Sequence, residues 1–387
     1  MRLLFYADGR SPIAVNWIRY WVERGDEVHL ASSFPCDPLP GLASFEVVPV
    51  AFSGAKSGRA SASLRKGFLW GARTLRMRLL MRQWLGPFTL RRSAFALREI
   101  VARIQPNLVH AMRIPYEGMT ATAAGLKALL VISIWGNDFT LHAHSSPMMA
   151  YWTRKAVHSC QALHSDCQRD LLIAKKMGFS HGKPELVIPG NGGIDMQIFH
   201  LPSQPVLAPV IINPRGFRGY VRNDTFFKSV PLVLNERPAA RFMCSAMAEE
   251  PKAESWIKEL GIGHAVDLLP ARPHAEMGNL FRTAAIMVSP STHDGTPNTL
   301  LEAMACGCFP IVGDVESLRE WISPGLNGLI VDAGNPQGLA DAILQALEDN
   351  NLRARAVREN SRIIAERADY STCMAQAGAF YRQVIKG

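Results

Sequence analysis

Short apolar runs and longer periodic stretches follow one another along the chain. Residues 2–6 are apolar, Asp8, Gly9, Arg10, Ser11 and Pro12 make a turn, and Ala14, Trp17, Ile18, Trp21 and Val22 recur at helical spacing. Gly25 closes that helix and a second apolar run occupies residues 28–31. Strand, helix and strand within about thirty residues is a βαβ opening, which predicts a parallel sheet with a right-handed crossover. Residues 108–110 and 129–134 read as later strands of the same sheet. The pattern restarts at residues 186–189, and Gly190-Asn191-Gly192-Gly193 then offers a flexible crossing. Further strands are expected at 210–213, 241–244, 266–269, 284–289, 309–312 and 328–331, with helical patterns between them. The predicted architecture is α/β: two Rossmann-like, doubly wound domains, 1–189 and 190–368, facing across a cleft. Residues 369–387 form a last helix expected to pack back on the first domain.

Composition removes several classes of protein. A chain of 387 residues with 48% hydrophobic side chains is ample for two globular domains and excludes disorder as the main state. No apolar run reaches the eighteen or so residues of a spanning helix. The opening apolar run is too short for a secretory signal and ends at Asp8, so a cytoplasmic location is expected. The seven cysteines are scattered without a C-x-x-C pair, as reduced, buried thiols are.

The formal charge of +9 gains meaning once it is located. Residues 51–103 hold twelve basic side chains and one acidic one, Glu99. Leu64, Phe68, Trp70, Leu79, Met81, Trp84, Leu85 and Phe88 are interleaved with them. That mixture fits an interfacial segment beside an anionic membrane surface, on the inner face of the membrane. A nucleic-acid face has a similar charge, and so does a solvated helix whose arginines stack over their own apolar neighbours. The chain has no nucleic-acid reading module, so no nucleic-acid partner is expected.

The most specific string runs from Pro290 through Asp294-Gly295-Thr296-Pro297-Asn298-Thr299 to Glu302 and Gly307. A strand ends before it, a glycine-bearing loop follows, and a helix is predicted to start near Thr296 and Pro297, with threonine as N-cap and proline in the first turn. The free N–H groups and dipole of such a helix form a seat for an anion. Asp294 precedes the seat, and Glu302 lies about 7.5 Å beyond Pro297 along the axis. Two carboxylates bracketing one anion site suit a diphosphate that joins two hydroxylated rings.

This string resembles the E-x7-E signature of the family-4, or group 1, retaining glycosyltransferases, two-domain enzymes of the GT-B fold that use nucleotide-sugar donors. Residues 2–32, the run Gln105-Pro106-Asn107-Leu108-Val109-His110-Ala111, and Pro189-Gly190-Asn191-Gly192-Gly193-Ile194-Asp195 are similar to other landmarks of that family. The resemblance implies that Asp294 touches the donor sugar and Glu302 the ribose hydroxyls. The first acid here is Asp, one methylene shorter than the family's Glu. It further implies a basic residue for the leaving diphosphate, which falls on Arg215, with Arg218 and Arg222 standing where the family carries a Lys. Gly295, Thr296, Pro297, Asn298 and Thr299 complete the donor seat. On the acceptor side, Gly9, Arg10 and Ser11 follow the first strand, His110 ends a strand, and Trp135, Asn137 and Asp138 follow another. Many relatives have His-Gly where this chain has Trp135-Gly136, so a histidine mechanism does not transfer.

His142, His144 and His158 complete no ligand spacing and no D-x-D pair occurs, so neither metal nor bound cofactor is expected beyond the nucleotide diphosphate sugar itself. The expected reaction moves its sugar, with retention, to a hydroxyl of a carbohydrate or lipid-linked saccharide in polysaccharide or glycolipid synthesis. The alternatives are a nucleotide-sugar epimerase of the same fold and a catalytically silent GT-B membrane partner.

Overall fold

The computed structural model describes residues 1–51, 53 and 81–387. They fall into two compact units, Met1–Gly192 together with Met374–Gly387, and Gly193–Cys373.

In the first unit seven parallel strands lie in the order β3-β2-β1-β4-β5-β6-β7. They are β1 (Arg2–Ala7), β2 (Glu27–Ser32), β3 (Ser44–Val47), β4 (Leu108–Ala111), β5 (Leu129–Ile134), β6 (Ala162–Ser165) and β7 (Glu185–Val187). The central strands are buried and largely apolar because helices cover both faces of a parallel sheet. The helix Pro12–Glu23 shows the matching pattern, burying Ala14, Trp17, Ile18 and Trp21 on one stripe. Two strands, β3 and β6, were not expected: each is four residues long and carries polar side chains, too little for periodicity to register.

The second unit repeats the plan with six parallel strands in the order β10-β9-β8-β11-β12-β13. These are β8 (Val210–Asn213), β9 (Arg241–Cys244), β10 (Val266–Leu268), β11 (Ile286–Ser289), β12 (Phe309–Gly313) and β13 (Leu329–Val331). In both sheets the strand order reverses once, between β1 and β4 and between β8 and β11. Chain leaving the carboxyl ends of two such strands diverges to opposite faces, which opens a crevice there.

The last helix, Tyr370–Lys386, delivers Tyr381 into the first unit, where its ring stacks on Trp21 at 4.4 Å. A buried polar chain starts at this tyrosine. Trp17 Nε1–H donates to the Tyr381 hydroxyl (3.0 Å), which donates to His110 Nδ1. His110 Nε2–H donates to Ser133 (2.7 Å), and the Ser133 hydroxyl donates to His164 Nδ1 (2.8 Å). His164 Nε2–H ends the chain on the Ile188 carbonyl (3.1 Å). The indole can only donate and the carbonyl can only accept, so both ends fix the same direction and the same neutral tautomers. Burial pushes His110 well below the ordinary histidine range, with His164 adding to the shift, and burial takes His164 down to about 4. His110 is therefore a core residue that joins β4 to the last helix, and its grouping with the acceptor-side residues gives way to that structural role.

Among the described residues no helix is long and apolar enough to cross a membrane. All seven cysteines are free and six are buried.

The polar chain makes stability depend on pH. Unfolding returns the two histidines to ordinary values near 6.5, so the unfolded chain binds more protons below that pH and the first unit loses stability from about pH 6.5 towards 4. His110→Leu leaves the Tyr381 hydroxyl proton without its acceptor, at about 1–3 kcal/mol, while Ser133 keeps its bond to His164. Denaturant titration is expected to show that loss at pH 7.5 and a flatter pH dependence in the variant.

Candidate functional site

The sheet reversal of the second unit collects the residues of the signature string. Arg215 sits two residues past β8 and Asp294 five residues past β11, on the two loops that flank the reversal. Arg215 Nη2 donates to Asp294 Oδ2 at 2.8 Å, with both side chains about nine-tenths buried. Nη1 reaches the Thr299 hydroxyl (3.3 Å) and Nη2 the Tyr220 hydroxyl (3.5 Å). Arg215 Nε is buried with no hydrogen-bond partner. A buried, orphaned donor on a guanidinium is costly in the protein alone and is satisfied by an anionic oxygen.

The loop that holds Asp294 is pinned at several points. Ser317 donates to the Asp294 carbonyl (2.7 Å), and Trp321 Nε1 donates to the Thr296 hydroxyl (3.0 Å). Gly313, at the end of β12, leaves room for the crossing chain: a Cβ there would stand 2.1 Å from the Ser291 carbonyl oxygen. The helix that follows is Asn298–Ala305, and its N-cap is Pro297 with no side-chain cap bond. The expected Thr296 cap is corrected, because that hydroxyl is turned to Trp321. Gly295 is buried beside it, and Asn298 and Thr299 open the helix half-buried.

Glu302 is buried on this helix, and its Oε1 accepts from His274 Nε2 at 2.8 Å. The hydrogen bond to Glu302 raises His274 above the ordinary histidine range, against the pull of burial. Nothing in the spacing of the signature points to His274, which opens the helix His274–Phe281 at a distance of 28 residues in sequence. Arg218 stays with the cluster, donating to the Arg215 carbonyl (3.0 Å) and the Tyr220 hydroxyl (3.2 Å). Arg222 instead forms a two-point pair with Asp224, both bonds 2.8 Å. A groove of about 870 Å³ elsewhere on this unit, between Leu232 and Asp349, contains none of these residues.

In the first unit a pocket of about 290 Å³ lies at the other reversal, past β1 and β4. Asp8, Arg10, Ser11 and Trp135 line it, along with Arg82, Arg113, Tyr116, Glu117 and His142, which the spacing of motifs did not single out. A Cβ on Gly9 would stand 2.6 Å from the Cys36 sulfur, which would have to turn aside. Arg10 is held by both oxygens of Asp8 (2.9 Å each). Asp138 is wholly buried: it accepts from Arg113 Nε (2.8 Å) and from the amides of Ile114 and Trp135 (3.2 Å each). It braces the loops past β4 and β5, so its place on the acceptor side is a positioning one. Asn137 is half-buried, with its Oδ1 enclosed and unpartnered.

Burial drives His142 down to about 4, with Arg113 adding to the shift. Burial also raises Glu117 to about 7. One buried group of metal-ligand type, Asp166, Cys167 and Asp170, lies close together. Arg169 already pairs with Asp170 (2.8 Å), and burial holds the Cys167 thiol far above its usual range, so the trio has the chemistry of an internal ion pair.

Comparison with known proteins bears on the family and the fold. Residues 209–362 match the model of glycosyl transferases group 1, and residues 2–166 that of the glycosyl transferase 4-like family. A D-inositol 3-phosphate glycosyltransferase of Thermobispora bispora is 25% identical over 229 residues, covering 53% of this chain and 52% of its own length. The enzyme of the same name from Corynebacterium urealyticum is 32% identical over 137 residues, 35% of this chain and 32% of its own. The chain thus spans about half or less of the curated relatives it matches. Among solved structures, sucrose-phosphate synthase from Thermosynechococcus elongatus superposes over the whole of both chains with a TM-score of 0.75 at 15% identity. Anabaena HepE in complex with UDP gives 0.72 at 14% identity, over 99% of this chain and all of its own. On its two α/β units, its signature string and these matches, the chain belongs to the group 1 glycosyltransferases and has their GT-B fold.

Proposed function

We propose that the protein transfers a sugar from a nucleoside diphosphate sugar to an acceptor hydroxyl, with the second unit holding the donor and the first the acceptor. The observation that carries this reading is the Arg215–Asp294 pair at the sheet reversal, beside the start of the Asn298–Ala305 helix. An incoming diphosphate finds the orphaned Nε–H of Arg215 and the N–H groups of the helix turn. Asp294, released from Arg215, faces the sugar hydroxyls, and Glu302 accepts from the ribose. Arg218 extends the positive surface by way of Tyr220. Arg222, held by Asp224, contributes only to the long-range field.

The chemistry proposed is front-face transfer with retention. The anomeric carbon–oxygen bond breaks as Arg215 and the helix start stabilise the charge on the diphosphate. The acceptor oxygen approaches on the same face, and its proton passes to the departing phosphate oxygen, so no protein nucleophile is consumed.

The acceptor is proposed to be reached at an anionic membrane surface. Among the described residues, Met81, Trp84, Leu85, Phe88 and Phe95 expose between 46% and 69% of their surface, beside exposed Arg91 and Arg92. Large exposed apolar side chains interleaved with arginines match an interfacial segment. Lys56, Arg59, Arg65, Lys66, Arg73, Arg76 and Arg78 of the same basic stretch, and its apolar residues from Leu64 to Leu80, lie outside the described residues.

Two measurements test this reading. Incubation with a panel of nucleotide sugars and membrane extract is expected to release free nucleoside diphosphate with one donor. Glu302→Ala should cut that release at least tenfold, as a lost charged hydrogen bond of about 1.5–3 kcal/mol implies. Equal release from the variant contradicts the assigned role. In co-sedimentation, vesicles of anionic phospholipid should retain the protein and neutral vesicles should not, and Trp84→Ala with Phe88→Ala should shift it to the supernatant.

A further inference from the structure

The pocket of the first unit is rich in arginine, and its charges do not balance. Arg10 is neutralised by Asp8, and Arg113 by Asp138. Arg82 forms no ion pair among the described residues. Its guanidinium lies 4.7 Å from the ring centre of Tyr116 and 5.1 Å from that of Phe34, while Arg10 lies 3.7 Å from the same Phe34 ring. Two guanidinium groups thus converge on one aromatic ring at the pocket wall. The remaining acidic lining group is Glu117, buried and bound by the Ser33 hydroxyl. Burial raises its carboxyl to about 7, so near neutral pH it offsets the charge of Arg82 only in part.

The backbone holds this arrangement under strain. Tyr116 has φ 70° and ψ −55°, a conformation that side chains of its size rarely adopt. Its hydroxyl donates to the carbonyl of Arg82 itself (2.7 Å), so the strained residue anchors the unpaired cation from below. Gly86 makes room, since a Cβ there would stand 2.8 Å from the Tyr116 ring. Strain of this kind persists where the surroundings over-determine it, and it concentrates at ligand sites. The volume, about 290 Å³, sits at the lower edge of the roughly 300–1,000 Å³ typical of small-molecule sites.

We propose that this pocket selects a small polyol or monosaccharide that bears a phosphate, with the phosphate between Arg82 and Arg113 and a neighbouring hydroxyl hydrogen-bonded to Glu117. The identity of that hydroxyl as the one glycosylated rests on the transfer reading given above. The phosphate belongs either to a free sugar phosphate or to a lipid-borne one. Arg82 and Gln83 are followed at once by the exposed Trp84 and Leu85, which would place a lipid-borne phosphate within reach.

The test uses the whole protein and titration calorimetry. Probes are glucose 1-phosphate, glucose 6-phosphate, glycerol 3-phosphate and a short polyprenyl phosphoglucose in neutral vesicles, each against its phosphate-free parent. UDP is titrated in parallel. At least one phosphorylated probe should bind about tenfold more tightly than its parent, and Arg82→Gln should erase that preference. Glu117→Gln should weaken both members of the pair by a similar factor and leave their ratio unchanged. Both variants should keep the UDP affinity and thermal transition of the parent protein. Preference for the vesicle-borne probe assigns a lipid carrier, and preference for a soluble probe assigns a free acceptor. UDP binding with no phosphate preference in any pair overturns this inference and leaves the donor reading standing. A phosphate preference lost in Arg82→Gln, in a protein that binds no nucleotide, supports the pocket and counts against the donor reading. A preference that survives Arg82→Gln also overturns it.

Discussion

The ion pair between Arg215 and Asp294 is the contact on which the second unit's site depends. It joins the loops past β8 and β11, the two strands at which the sheet order reverses, and it is nearly closed to water. Removing one partner of such a pair leaves an uncompensated buried charge, at roughly 3–5 kcal/mol. The pair also leaves work undone: Arg215 keeps one buried N–H without an acceptor. A site that holds its cation with an internal carboxylate is ready to exchange that carboxylate for a ligand's oxygen. Ser317, Trp321 and Gly313 pin the Asp294 loop, which would hold it in place during the proposed exchange.

The first unit obeys the same topological rule with different chemistry. Its reversal lies between β1 and β4, and there the loops carry arginines, a buried carboxyl and a strained tyrosine. Directly beneath, the polar chain from Trp17 to Ile188 passes through both neutral histidines and holds the last helix against the sheet. The chain from Trp17 to Ile188 is matched donor to acceptor, whereas Arg82 at the strand ends forms no ion pair among the described residues.

Much of the fold was legible from apolar runs, because central parallel strands are buried on both faces. The strands at 129–134, 210–213 and 241–244 needed no correction. The edge of that legibility is physical: β3 and β6 are held by neighbours in the sheet, and their own four residues carry little pattern. The signature string marked Asp294 and Glu302 through its resemblance to the family motif. Their partners were not legible, since Arg215 lies 79 residues from Asp294 and His274 lies 28 from Glu302. His110 and Asp138 end or follow strands, as ligand-facing residues do. Only tertiary partners from the last helix and from Arg113 show that both are structural. Glu117 carried no motif, and its significance comes from burial, which a sequence does not display.

The central claim is that Asp294 holds Arg215 in reserve for the donor's diphosphate, and the affinity of Asp294→Asn for UDP tests it most directly. UDP has no sugar for Asp294 to touch, so its binding reports the anion seat alone. The account predicts that the variant binds UDP more tightly than the parent protein, because the guanidinium no longer has a carboxylate to leave. Weaker binding, in a variant that still unfolds cooperatively well above the assay temperature, would contradict it and would make the pair a structural tie.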